Sequence, residues 1–388
     1  MQTQPRVAIA CGGTGGHFFP GITVAGRLAT RGCRVTLVVS PKEVDQQAAS
    51  TVRGMDILTL PSVGLAGNNL FGFVRGFWKS YRGALNQFVQ QPPRAVLAMG
   101  GFTSAPPVLA GRRLGAAAFL HESNSIPGRA NRWLAHFVQE AFVGFPCAGT
   151  RLLHQHITVT GTPVRPEFVP HDSRASRMAL GLKPDRPLLL VMGGSQGASG
   201  VNQLVLRALP MLQAASPELQ ILHLTGTADV EKVVQAYRDA GVQALVRPFL
   251  SEMETALGAA SVAVSRAGAS SLAELAAMRL PSVLIPYPAA ADNHQLANAL
   301  EYERTGAARV LEQATATSEQ LVTTILELLR STSVRGDMRE ALSRWHRPDA
   351  AEVIAERISV SIGVEPRKVV PATPPAAWRS RSEEFVPA

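Results

Sequence analysis

Three turns in the sequence have the composition of phosphate-binding loops. Gly12-Gly13-Thr14-Gly15-Gly16-His17 follows the apolar run Val7-Ala8-Ile9-Ala10-Cys11, and Gly193-Gly194-Ser195-Gln196-Gly197-Ala198 follows Leu188-Leu189-Leu190-Val191-Met192. Glycine after a strand lets backbone N–H groups converge on an anion, and the helix that follows adds the positive end of its dipole. The third turn, Ser265-Arg266-Ala267-Gly268-Ala269-Ser270-Ser271-Leu272-Ala273-Glu274, leads from a strand into a helix whose first turn carries two hydroxyls. A diphosphate fits that helix start, with Glu274 accepting from vicinal hydroxyls such as those of a ribose. The plainer reading of each is a tight βα turn, with Ser270 as a helix cap and Glu274 as a favourable early charge. Recurrence of the glycine turn in two halves of one chain favours a phosphorylated ligand spanning a cleft between two domains.

Neither glycine loop is followed by Lys-Ser or Lys-Thr, so the P-loop pattern fails. The second strand ends Val38-Val39-Ser40-Pro41-Lys42, without the acid that a dinucleotide ribose requires, which disfavours NAD. Two further polar clusters stand out. Asp292-Asn293-His294-Gln295, with Asn298 beyond, supplies the amides and carboxylate that a sugar's hydroxyls need, whereas His121-Glu122-Ser123-Asn124 is placed only at the carboxyl end of a strand, where α/β sites gather. Asp292 and His294 are two positions apart and diverge on a helix, so no metal site is expected.

These residues must be positioned by alternating strands and helices. Strands are expected at 6–11, 34–39, 95–99, 116–120 and 157–160, and again at 187–192, 219–224, 244–247, 261–265, 282–286 and 307–311. Helices are expected at 200–214, 270–278, 292–304, 318–330 and 334–345. The pattern predicts an α/β protein of two Rossmann-like, doubly wound parallel-sheet domains. Gly161-Thr162-Pro163-Val164-Arg165-Pro166 marks the join, giving domains at 1–165 and 166–346, a C-terminal helix at 347–362 and a disordered tail at 363–388.

The chain has 388 residues, 46% of them hydrophobic and 17% charged, enough for a core in each domain. Its net charge of +9 is uneven: residues 1–165 hold 16 Lys and Arg against 5 Asp and Glu, whereas the remainder hold 22 against 24. An anionic partner for the first half follows, either nucleic acid or a lipid surface. The stretch Leu70 to Arg82 places Phe73, Phe77, Trp78 and Tyr81 beside Arg75, Lys79 and Arg82 on a helix. The plain reading is an amphipathic helix packed on a core; the functional reading, given the basic first half, is docking on an anionic membrane rather than nucleic acid. Three cysteines without metal or disulfide spacing suit a reducing compartment. With no apolar run of ~18 residues and no signal-like start, contact with a membrane is expected to be peripheral.

Taken in order, Gly12–His17, Gly100-Gly101, His121–Asn124, Gly161–Arg165, Gly193–Ala198, Ser265–Gly268 and Asp292–Gln295 resemble the MurG family over about residues 6–362. The resemblance implies a GT-B fold and an inverting transfer of N-acetylglucosamine from its UDP donor to the muramoyl 4-hydroxyl of lipid I, forming lipid II in peptidoglycan synthesis. Carried over by position, Thr14, Gly15 and Gly16 line the donor sugar and diphosphate region, and Asn124 meets the sugar. Arg165 and Ser195 meet the diphosphate and nucleotide, and Leu250 offers backbone groups to uracil. Ala269, Ser270, Ser271, Leu272, Ala273 and Glu274 bind phosphate and ribose, and Gln295 binds the sugar hydroxyls. His17 is the candidate general base, with Glu122 its competitor. The implied partners are UDP-N-acetylglucosamine, lipid I and an anionic membrane surface, with the cell-wall and division machinery as candidates; no cofactor is implied. The implied location is peripheral, on the cytoplasmic face of the inner membrane. Ala66 stands where the family often has Arg, and the tail has no counterpart. A soluble GT-B transferase, a UDP-sugar epimerase and a non-catalytic nucleotide-sugar or nucleic-acid binder are the competing readings.

Overall fold

The computed structural model describes residues 4–13, 15–50, 52, 54–61, 70–194 and 197–364. Thr14, Ser195, Ala66 and the tail from 365 lie outside the described residues. Thirteen parallel-pairing strands form two sheets among the described residues. The first contains β1 (Arg6–Ala10), β2 (Arg34–Val39), β3 (Asp56–Thr59), β4 (Ala95–Ala98), β5 (Ala117–Glu122), β6 (Glu140–Val143) and β7 (Ile157–Val159). The second contains β8 (Leu188–Met192), β9 (Gln220–Leu224), β10 (Ala244–Arg247), β11 (Val262–Ser265), β12 (Ser282–Leu284) and β13 (Arg309–Val310).

The strand orders are β3-β2-β1-β4-β5-β6-β7 and β10-β9-β8-β11-β12-β13. Both therefore start at an inner strand, run outward, and then cross to the other side of it. The switch points lie at β1/β4 and β8/β11, and at such points the loops beyond the strand ends part to leave a crevice. The glycine loops follow β1 and β8, so each occupies a switch point. Central strands are covered on both faces and read as unbroken apolar runs: every residue of β4, β8 and β11 is buried. Burying each such Val or Leu fully contributes about 1.5–3 kcal/mol relative to leaving it exposed.

The expected strands and helices are present within a few residues of their ends. Two strands, β3 and β6, were not among those expected. Each is four residues long, too short for a period to stand out, and β3 alternates only weakly between half-buried and exposed positions. The helix expected from 292 begins instead at His294, because Asp292 and Asn293 both take left-handed backbone angles, with φ of 50° and 54°.

By compactness the chain divides into two units, one holding the described residues through Phe119 and from Glu352 onward, the other Leu120–Ala351. The last helix, Ala350–Ser361, thus belongs largely to the first unit. There Glu352 pairs with Arg27 and with the buried Arg31, and Arg94 donates to the Ile362 carbonyl at 3.2 Å.

Close packing in the first unit gives a paired test. A Cβ added to Gly111, in the helix Ala105–Arg113, would overlap the Val96 side chain on β4, whereas nothing lies within 4 Å of one added to Gly26. Gly111→Ala is expected to lower stability by about 1–3 kcal/mol through overpacking. Gly26→Ala is expected to raise it by roughly 0.5–1 kcal/mol through helix propensity. Thermal melts of the two variants check the opposite signs.

Candidate active site

Within the first unit, the loop after β1 is braced by a buried acid. A Cβ on Gly12 would lie 2.6 Å from the Ser40 nitrogen, and Gly13 has φ of 121°, so only glycine fits at either position. The Gly13 N–H donates to Asp45 Oδ2 at 2.6 Å, which also accepts from the Ser40 N–H and hydroxyl. Asp45 is one of five acids in the basic first 165 residues, and that rarity is the only trace its role leaves in the sequence. Gly15 and Gly16 open the helix Gly15–Thr30, and His17 stands half-buried on its first turn. The His17 ring packs on Gly100 and Gly101, whose φ angles are 122° and 72°; a Cβ on Gly100 would sit 2.7 Å from His17 Nε2. Gly100-Gly101 therefore makes room for an imidazole. Thr103 Oγ1 donates to the Gly12 carbonyl at 2.7 Å and ties the loops after β1 and β4 together.

In the second unit, β5 ends in His121 and Glu122, both buried. His121 Nε2 lies 3.0 Å from the Gly161 carbonyl and its Nδ1 lies 3.2 Å from Ser123 Oγ. A carbonyl only accepts, so the proton sits on Nε2 and the serine hydroxyl donates to Nδ1. Glu122 Oε1 accepts from the Asn124 N–H at 2.8 Å and Asn124 Nδ2 at 3.1 Å, while Oε2 accepts from the Gly128 N–H and Asn131 Nδ2, each at 2.9 Å. All the hydrogen-bonding directions of that carboxylate are filled, so its evident work is to shape the 122–131 turn. Asn131 was not singled out in the sequence; it occupies the helix Arg129–Leu134 and is itself buried.

At the second switch point, Gly194 and Gly197 have φ of 89° and 75°, and a Cβ on Gly197 would overlap the Thr225 carbonyl. Asn202, in the helix Ser199–Ala215, donates to that same carbonyl at 3.0 Å and to Asp229 at 2.8 Å. Its Oδ1 meets His223 Nε2 at 3.0 Å, and Tyr237 meets His223 Nδ1 at 3.0 Å. Burial pushes the His223 pKa down to about 4, so the ring is neutral and serves this brace.

Beyond β11, the buried Arg266 donates to the Ile285 and Pro286 carbonyls and to Gln313 Oε1, and stacks over Tyr287. It fixes the loop after β12. Gln295 Oε1 accepts from the Tyr287 N–H at 3.0 Å and the Ala267 N–H at 3.3 Å, which fixes the amide's orientation and leaves Nε2 as its donor end. Gly268 caps the helix Ala269–Ala277 with extended angles, and Glu274 lies one turn in. Burial pushes the Glu274 pKa up to about 7; Arg165 pulls it down, and Glu167 and Glu254 push it further up. Arg165 itself pairs with Glu167 at 3.1 Å and lies over the Phe168 ring. Leu250 is in the partly exposed loop after β10.

Asp292 pairs with Arg129 at 3.3 Å and Arg132 at 2.6 Å, and these two arginines hold its carboxyl below the usual range. This joins two polar segments far apart in sequence. Leu250 and Arg165 are described, whereas Thr14 and Ser195 lie outside the described residues, as above. Among the described residues, no three His, Cys, Asp or Glu side chains gather as metal ligands.

On the helix Leu70–Gln90, the exposed large apolar residues are Phe71, Val74 and Trp78, alongside exposed Arg75, Lys79 and Arg82, and Val89 near the other end. Trp78 stacks on Tyr81, and the Arg82 guanidinium lies 5.2 Å from the Trp78 ring centre. Phe73 instead packs edge-on against Phe102, at 5.5 Å, and beside Phe77. Over the first turns of the helix the outward apolar face is thus Phe71, Val74 and Trp78, while Phe73 and Phe77 are half-buried. No described helix is long and apolar enough to cross a membrane.

Residues 7–143 match the glycosyltransferase family 28 N-terminal domain and residues 188–354 match its C-terminal domain. The UDP-N-acetylglucosamine–N-acetylmuramyl-(pentapeptide) pyrophosphoryl-undecaprenol N-acetylglucosamine transferase of Acidithiobacillus ferrooxidans is 38% identical, over 90% of this chain and 96% of its own. The enzyme of that name from Pelobacter propionicus is 33% identical, over 91% of this chain and 98% of its own. Among solved structures, Acinetobacter baumannii MurG superposes with a TM-score of 0.72 at 27% identity, covering 92% of this chain and all of that one. A putative UDP-N-acetylglucosamine 2-epimerase from Listeria monocytogenes, with a TM-score of 0.70 at 16% identity over 94% of this chain and 98% of its own, shares the fold alone. Two doubly wound sheets with a glycine loop at each switch point, matched over about nine-tenths of the chain by these relatives, give the chain a GT-B fold and make it a member of the MurG family of glycosyltransferases.

Proposed function

We propose that this protein transfers N-acetylglucosamine from UDP-N-acetylglucosamine to the muramoyl 4-hydroxyl of lipid I, with inversion, to give lipid II. The observation that carries the reading is the pair of oriented amides in the second unit. Gln295 presents Nε2 because its oxygen is held by two backbone N–H groups, and Asn124 is held by Glu122 on one side. Sugar hydroxyls both donate and accept, so fixed amides discriminate among them where a mobile side chain would not. The nearby start of helix 269–277 and Arg165 suit a diphosphate, and Glu274 suits the ribose.

The acceptor hydroxyl oxygen attacks the anomeric carbon, the bond from that carbon to the diphosphate oxygen breaks, and its electron pair leaves with UDP. Arg165 and the N–H groups of helix 269–277 stabilise the charge that develops on the leaving diphosphate. His17 takes the hydroxyl proton, and Glu122, already saturated with donors, keeps Asn124 and the 122–131 turn in place. We place the functional join after Arg165, between β7 and β8, where one sheet gives way to the other. The exposed Phe71, Val74 and Trp78 with their basic neighbours dock the first unit on the cytoplasmic face of an anionic membrane, where a lipid-linked acceptor resides.

An assay of labelled UDP-N-acetylglucosamine with a lipid I analogue tests the activity. Saturable formation of lipid-linked disaccharide is expected, with His17→Ala lowering kcat by roughly 100-fold. A folded protein that only epimerises or hydrolyses the donor contradicts the reading.

Ribose hydroxyls donate best to an ionised Glu274. With its pKa at about 7, the donor KM is expected to rise as pH falls below 7, approaching tenfold per unit, and to be high and flat in Glu274→Gln. The same raised value, against an ordinary 4.5, means that Glu274 contributes stability fully present below 4.5 and lost as pH rises through 7. Chemical denaturation of Glu274→Gln across that range should therefore show a smaller decline with pH than the parent.

Sedimentation with vesicles containing anionic lipid is expected to pull down the parent and to leave Phe71→Asp with Trp78→Asp in the supernatant, with transfer to a short-chain soluble acceptor retained. Equal sedimentation of both would remove the docking role.

A further inference from the structure

Asn298 is completely buried in the helix His294–Arg304, and both ends of its amide are partnered. Its Oδ1 accepts from the Ser125 N–H at 2.8 Å, and its Nδ2 donates to Asn124 Oδ1 at 3.1 Å and to the Ala267 carbonyl at 3.2 Å. A backbone N–H only donates and a carbonyl only accepts, so these partners leave the Asn298 amide one orientation. At the other end, the Glu122 carboxylate accepts from Asn124 Nδ2 at 3.1 Å. Asn124 is therefore gripped from two sides by groups of fixed polarity, with Nδ2 toward Glu122 and Oδ1 toward Asn298. One hydrogen on Nδ2 and one lone pair on Oδ1 remain for a ligand.

We propose that Asn298 is a positioning residue for donor-sugar recognition: by donating to Asn124 Oδ1 while anchored on Ser125 and Ala267, it sets the orientation in which Asn124 meets the sugar. The inference rests on the reading that Asn124 contacts the donor sugar. Without Asn298, the Asn124 side chain keeps only its Glu122 contact and is free to swing its oxygen, and the site loses the donor-acceptor pair that distinguishes one sugar substituent from another. Asn298 also joins the segment after β5 to the segment after β11, since Asn124 and Ser125 lie on the first and Ala267 on the second.

A double-mutant cycle on the full chain tests this, reading donor KM, kcat, the kcat/KM ratio for UDP-N-acetylglucosamine over UDP-glucose, and the melting temperature. Asn124→Ala is expected to raise the donor KM about tenfold, the effect of one lost hydrogen bond. Asn298→Ala is expected to raise it about as much and to lower the selectivity ratio, with the acceptor KM unchanged. In the Asn124→Ala background, Asn298→Ala is expected to add less than about twofold, because it acts through the residue already missing. Asn298→Asp, which keeps the shape but loses both donor hydrogens, repeats the cycle should the alanine variant fold poorly. Equal fold-changes from Asn298→Ala in both backgrounds, or a lower melting temperature with donor KM and selectivity unmoved, would overturn the proposal while leaving Asn124 as a sugar contact. An unchanged donor KM in Asn124→Ala would instead remove the reading on which it rests.

Discussion

A buried carboxylate with four donors around it is the constraint on which the second unit's polar surface depends. Glu122 stands at the end of β5, 3% exposed, and the N–H groups of Asn124 and Gly128 and the amides of Asn124 and Asn131 all point at it. A buried charge lacking such partners would be costly enough to displace the side chain or its proton. Fully partnered, it fixes the 122–131 turn and, through Asn124 and Asn298, the segment after β11. The proposed function gives sugar recognition to amides whose polarity is decided by their neighbours before a substrate arrives.

The same principle recurs wherever a glycine loop meets a sheet switch point. In the first unit Asp45 accepts from Gly13 and Ser40; in the second, Asn202 and His223 hold the Thr225 carbonyl against Gly197. Loops rich in glycine are entropically expensive to order, and each is held by a buried polar group of the adjoining strand or helix. Duplication of the strand order in the two sheets explains why the device appears twice.

Much of this was legible in the sequence, for physical reasons. Parallel strands buried on both faces leave unbroken apolar runs, so β1, β4, β8 and β11 stood out, and glycine turns after β1 and β8 marked the switch points. Glu274, Gln295 and Asn124 were visible as polar residues at strand ends or helix starts. What escaped is what depends on contacts between distant segments. Nothing around Asp45, Asn131 or Asn298 tells that their side chains reach a loop elsewhere. Glu122 read as a competing base because a carboxylate beside a histidine suggests proton transfer, whereas its four partners emerge only in three dimensions. The aromatic helix was read as one stripe; packing divides it into Phe73 and Phe77 on the inward side and Phe71, Val74 and Trp78 on the outward side.

The central claim is that two oriented amides read the donor sugar: Asn124, braced by Glu122, and Gln295, held by the Tyr287 and Ala267 N–H groups. A crystal structure with UDP-N-acetylglucosamine bound tests it most directly. The account predicts the sugar within hydrogen-bond distance of Asn124 and of Gln295 Nε2, with Glu122 still accepting all four of its bonds. A sugar out of reach of both amides, or a Glu122 that leaves its partners to approach the acceptor hydroxyl, would contradict it.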